Sequence, residues 1–177
     1  QRRPALTWSG TWAQRGALSR WRDVLRELQP DVVHIHHLSG LPIGIAQATA
    51  QAGVPLAMTL HDYWLPCHRG QLINTQGQLC AGPSTMGCAQ CIGGRRPQRH
   101  ATDAQARLNA AHTALQSADV LWSPSQDLAQ RMGQMGLRQP EHCPLPLVQA
   151  MPQPDTPEPG PVRFLFASAL IPTKGPH

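Results

Sequence analysis

Two short apolar runs, Asp31–His36 (DVVHIH) and Val54–Leu60 (VPLAMTL), enclose a helical stretch from Pro42 to Ala52 that Gly53 ends. Apolar, β-branched runs of this length, bounded by Pro and Gly, read as strands buried in a parallel sheet. Strand, helix and strand within about 30 residues is the spacing of a βαβ unit, which leaves few folds open. Parallel strands need crossovers, and crossovers lay helices over the sheet. The flanking sequence agrees. Leu18, Trp21, Leu25 and Leu28 recur at helical spacing before the first strand, and Pro30 stops that helix. Ala104, Leu108, Ala111, Leu115 and Ala118 share one face of a later helix, for which Thr102 can serve as cap. Asp119–Trp122 (DVLW) reads as a third strand, and Ser125 stands where it can cap one more helix, ending near Gly136. The expected fold class is α/β, a doubly wound parallel sheet with helices on both faces.

Two segments break this pattern. Residues 62–101 have no apolar period and hold four Cys, many Gly and a basic cluster. That is too long for an ordinary connection and reads as a functional or metal-stapled insert. Residues 151–161 (MPQPDTPEPGP) read as an extended linker. A new buried strand, Val162–Ala167 (VRFLFA), follows. The expected organisation is a first domain over 1–150, a linker over 151–161 and the start of a second domain over 162–177. Both chain ends read as cut, so the chain is expected to be a fragment.

With 177 residues, 41% apolar and 14% charged, the chain can build a core and lacks the signature of disorder. No apolar run approaches a membrane span. A net charge of +5 suits an anionic ligand. Arg95, Arg96, Arg99 and His100 form the one dense basic cluster, but without interleaved aromatics it reads as a solvated loop, and no nucleic-acid partner is expected. There is no P-loop, GxGxxG or GxSxG to carry kinase or hydrolase chemistry.

In an open parallel sheet, ligands bind beyond the carboxyl ends of the strands. Those ends are polar here: His34, His36 and His37 on the first strand, His61-Asp62 on the second, Ser123-Pro124-Ser125 on the third, and Ser168 followed by Lys174-Gly175 after the linker. His34 reads as structural, whereas His36, His37, His61, Asp62 and Ser125 are candidate rim residues. The His cluster alone does not specify a metal site, since chain order does not fix three ligands in space. The cysteines are the sharper signal. Cys67, Cys80, Cys88 and Cys91 share the insert, and Cys88-Ala-Gln-Cys91 is a CxxC pair. A structural zinc or similar ion, disulfides and free thiols all remain open readings. Cys143 stands apart and reads as packing.

The strings PDVVHIHHLSGLP, GVPLAMTLHDYWLPC, ADVLWSPS and VRFLFASALIPTKG, in this order, resemble the family 4 glycosyltransferases of GT-B fold. HDYW-x2-C-x-RGQL followed by C-x-GP and C-x2-C is similar to a bacterial branch with a Cys-containing insert. The resemblance implies a Rossmann-like acceptor-side domain facing a donor-side domain across a cleft. It implies transfer of a sugar from a nucleotide-sugar donor to an acceptor with retention, as in polysaccharide biosynthesis. His61 matches the family's His that contacts the transferred sugar. Lys174 matches the Lys that binds the donor diphosphate, where a fixed cation stabilises the charge gathering on the leaving group. Ser168 and Ala169 stand where many relatives carry a Gly-Arg pair, so Ser168 is a donor-side candidate. His36 and His37 match rim positions facing the acceptor, a saccharide or lipid-linked molecule. No catalytic metal is expected, so an ion in the insert would be structural. A cytoplasmic setting is implied, with membrane-peripheral association left open. The family's glycine-rich loop would precede Gln1 and its Glu pair would follow His177, so the isolated chain is expected to be inactive. Two other readings stand beside this one: a non-catalytic GT-B-like binding module, and a metal-stapled interaction module centred on the Cys insert.

Overall fold

The computed structural model describes residues 15–93, 96–146 and 160. Helix α1 (Arg15–Leu28) leads to strand β1 (Val33–Ile35). Helix α2 (Ile45–Gln51) follows, then β2 (Leu56–Thr59). Helix α3 (Thr85–Gly93), a 3₁₀ turn (Pro97–His100) and helix α4 (Ala101–Ser117) precede β3 (Val120–Ser123). Helix α5 (Gln126–Gln134) and the short β4 (Glu141–His142) complete the described order. All pairings are parallel, and the sheet runs β1-β2-β3-β4. The mixed α/β, Rossmann-like class expected from the sequence is what the structure shows.

Register and side-chain alternation divide the sheet into two faces. His34 pairs with Ala57, Ala57 with Val120, and Thr59 with Trp122, so these five residues share one face. Ile35, Leu56, Met58 and Leu121 occupy the other face and are almost fully buried. They join Ile43 from the turn before α2, Ala111 and Leu115 from α4, and Leu128 and Met132 from α5 in one core. Helix α2 packs on both α1 and α4. His34 is exposed, against the expectation of a strand buried all round. Among the described residues β1 has one buried face, and its polar alternate position lies on the open one.

Local chemistry explains the element boundaries. Of the four positions expected to form the apolar face of α1, Leu18, Trp21 and Leu25 pack inward, and Leu28 is exposed at its end. Helix α2 is shorter than the expected Pro42–Ala52. The N–H groups of Ile45 and Ala46 bond to the carbonyls of Pro42 and Ile43, so a tight turn occupies the entry. Gly53, at φ 74°, takes the left-handed exit. Thr102 is not the cap of α4: the helix begins one residue earlier, behind the 3₁₀ turn, and the residue at its N-cap is His100, with no side-chain cap bond. Ser125 does cap α5, its Oγ accepting from the Leu128 N–H at 3.2 Å. The insert, expected to be irregular, contains helix α3, which packs against the 3₁₀ turn and α4. No helix among the described residues is long and apolar enough to cross a membrane. The expected linker and second-domain strand, with Ser168 and Lys174, lie outside the described residues except for Gly160.

Candidate functional site

The parallel register of β1 and β2 sets three side-chain pairs in file. His34 Nε2 lies 2.8 Å from Thr59 Oγ1, His36 Nδ1 lies 3.2 Å from His61 Nε2, and His37 Nε2 lies 3.2 Å from Asp62 Oδ2. Each pair is separated by the same 25 positions in sequence, against 23 for the backbone register, so His34 meets the residue two beyond its backbone partner Ala57 and the next two pairs keep that offset. The second and third pairs stand just beyond the strands' carboxyl ends, where open α/β sheets bind their ligands.

The His36 and His61 rings stack with centroids 5.5 Å apart at 24°. The His34 ring lies 4.1 Å from that of His36 and meets Trp122 edge-on at 5.8 Å. Although His34 is largely exposed, partial desolvation of its ring, aided by the neighbouring His36 and His61, lowers its pKa below 6.5 and disfavours the charged form. The nitrogen-to-nitrogen bond between His36 and His61 needs one donor and one acceptor, so the pair bonds only while one ring nitrogen carries no proton.

His37 is held in a single tautomer. Its Nδ1 accepts the Ser39 N–H at 2.9 Å, so the ring proton sits on Nε2 and is donated to Asp62. Asp62 uses its other oxygen, Oδ1, to accept the Trp64 N–H at 2.8 Å, folding the chain sharply after His61. The cavity at this rim measures only about 20 Å³. Among the described residues, the rim is an open surface with no enclosed chamber of ligand size.

Two supports escaped the sequence reading. Arg107 of α4 is buried, donates from Nη1 to the Leu65 carbonyl at 2.7 Å and from Nη2 to the Trp64 carbonyl, and lies over the Trp64 ring at 5.1 Å. Burial lowers its pKa to about 10. An Arg among Ala and Gln in a helix looks like a surface charge in sequence, and nothing local reveals it as an anchor. Tyr63 donates its hydroxyl to Asp127 Oδ2 at 3.2 Å, joining the loop after β2 to the first turn of α5; its pKa is raised by burial and by that carboxylate.

The structure thus brings His36, His37, His61 and Asp62 together. Ser125 lies at the end of β3 with its side chain engaged as the α5 cap. All five cysteines are free, and Cys67, Cys80, Cys88 and Cys91 line one cavity of about 390 Å³, while Cys143 is exposed. Among the described residues, no group of three or more His, Cys, Asp or Glu side chains is arranged to hold a metal ion. Arg96 and Arg99 of the basic cluster are exposed.

Compared with known families, residues 1–147 match the glycosyl transferase 4-like domain. The chain belongs to that family. No curated protein matches the chain. The glycosyl transferase 4-like domain therefore covers every described strand and helix, the paired His rim and the Cys insert. Membership carries the general activity of glycosyl transfer, with a sugar donor and an acceptor as partners.

Proposed function

We propose that this domain forms the acceptor side of a retaining glycosyltransferase that uses a nucleotide-sugar donor. The observation that carries the reading is the paired rim at the ends of β1 and β2. His61, steadied by stacking and hydrogen bonding with His36, presents imidazole N–H and lone-pair groups suited to sugar hydroxyls. The His37–Asp62 pair supplies a second, orientation-locked polar contact for the acceptor. The roles are those the family resemblance implies. His61 contacts the transferred sugar, His36 and His37 face the acceptor with Asp62, and Ser125 lies on the rim at the end of β3. By the same resemblance, residues 162–177 begin the donor side, with Lys174 and Ser168 as its donor-binding candidates. The reaction needs no catalytic metal from these residues, and the acceptor is a saccharide or a lipid-linked one, reached from a cytoplasmic or membrane-peripheral position.

The test uses a polypeptide carrying this chain together with its donor-side domain. Nucleotide release is measured over a panel of sugar nucleotides with and without His61→Ala. Release that falls by about 100-fold or more in the variant is expected, the scale of a lost transition-state contact. Equal release from both proteins would remove His61 from the mechanism. No release with any donor, from folded protein, would favour a non-catalytic binding module of the same fold.

A further inference from the structure

The insert between β2 and α4 holds a second cluster of chemistry-bearing side chains, none of them among the rim residues. Cys67 and Cys80 come from its first half, and Cys88 and Cys91 from α3, yet all four line the same cavity. The first half is a compact loop in its own right. Cys67 N–H bonds to the Tyr63 carbonyl at 2.8 Å, Gly70 N–H closes a turn on the Cys67 carbonyl at 2.8 Å, and Cys80 N–H returns to the Leu72 carbonyl at 2.6 Å beside the Ile73–Leu79 bridge. In the second half, Cys88 and Cys91 stand three apart on a helix and so share a face.

The surroundings suit thiolate ligands. The Arg107 guanidinium is anchored on the carbonyls of Trp64 and Leu65, just before Cys67 in the chain, and Arg69 follows just after it. Four thiolates around a divalent cation leave two negative charges, and two guanidinium groups offset them. None of the four sulfur side chains belongs to a fully buried residue, as a packing cysteine would, and none is in a disulfide.

We propose that Cys67, Cys80, Cys88 and Cys91 form a closing site for one soft, tetrahedral divalent cation of the zinc class. The site closes because the sulfurs share a cavity without yet converging. Binding draws α3 toward the 67–80 loop, and Cys80 gives up the bond its thiol donates to the Gly82 carbonyl at 3.2 Å. The cation acts structurally: Arg107 already ties this region to the carbonyls of Trp64 and Leu65, three and four residues after His61. The inference stands on the cysteines and holds whether or not the transferase reading does.

The test is a cobalt(II) titration of the full chain, reduced and metal-free. Expected are one equivalent bound, sulfur-to-cobalt charge-transfer absorption with the intense visible bands of a tetrahedral site, and bleaching by zinc. The Cys88→Ser/Cys91→Ser double variant should lose these bands, and Cys143→Ser should keep them. On the unaltered protein, zinc should slow alkylation of four thiols at least tenfold while Cys143 reacts at an unchanged rate. This second readout does not depend on any variant folding. Absence of the bands from folded protein, their survival in the double variant, or alkylation indifferent to zinc would each overturn the site.

Discussion

His34 and His37 lie on one short stretch of chain, yet their surroundings give them different chemistry. His37 has both ring nitrogens committed, one to Ser39 and one to Asp62, which fixes its proton. His34 shares its Nε2 with a Thr hydroxyl, is partly desolvated and is crowded by two other imidazoles, so its charged form is disfavoured. Titration followed by histidine NMR should place His34 below the ordinary value of 6.5. A base depressed in the folded state binds fewer protons there than in the unfolded chain. Its contribution therefore favours folding above that range and weakens as pH falls below 6.5 toward the folded value. A midpoint at or above 6.5 would mean that the ring is not crowded as described. The candidate rim was legible in sequence because polar residues at the ends of apolar strands are conspicuous. The pairing of those residues was not, since it depends on the register between two strands.

Among the elements, the caps separate what local sequence can decide from what it cannot. Ser125 follows a strand and precedes an amphipathic helix, and its Oγ meets the Leu128 N–H as the pattern predicts. Ser125→Ala should cost about 1 kcal/mol of stability by denaturant unfolding. Thr102→Ala should cost well under that, because Thr102 lies within α4 and not at its cap. A loss at Thr102 as large as that at Ser125 would contradict the observed start of α4. Helix α3 was illegible for a clear reason. Ala89 is its one buried residue, so no apolar stripe marks it, and its Gly and Cys content resembles a loop. Strand β4 has two residues, both exposed, and offers no periodicity to find.

Across the whole domain, α4 joins the core to the site. Its apolar face supplies Ala111, Ala114 and Leu115 to the core, and Arg107 reaches the loop after His61. Arg107→Met keeps much of the side-chain volume but strands two carbonyls and removes the contact with Trp64. A loss of roughly 1–3 kcal/mol is expected, with faster amide hydrogen exchange over residues 62–67 and little change in the strand amides. Uniformly faster exchange would show that Arg107 serves the fold generally and not this loop. The α/β class was legible because a βαβ unit constrains everything packed on it. The loop anchor was not, because it joins residues 42 and 43 positions apart.

The sheet order β1-β2-β3-β4 also fixes a timetable. Each strand docks beside the one synthesised before it, so the sheet can grow in the direction in which the ribosome delivers it. One step in that growth is slow to arrive. Strand β3 emerges only after the insert, and until then β2 waits with an unpaired edge. A compact insert shortens the tether that must be closed before Ala57 can meet Val120, and loop closure is cheaper for shorter effective loops. The cysteine cluster thus lies in the stretch of chain that must be made between β2 and its partner β3.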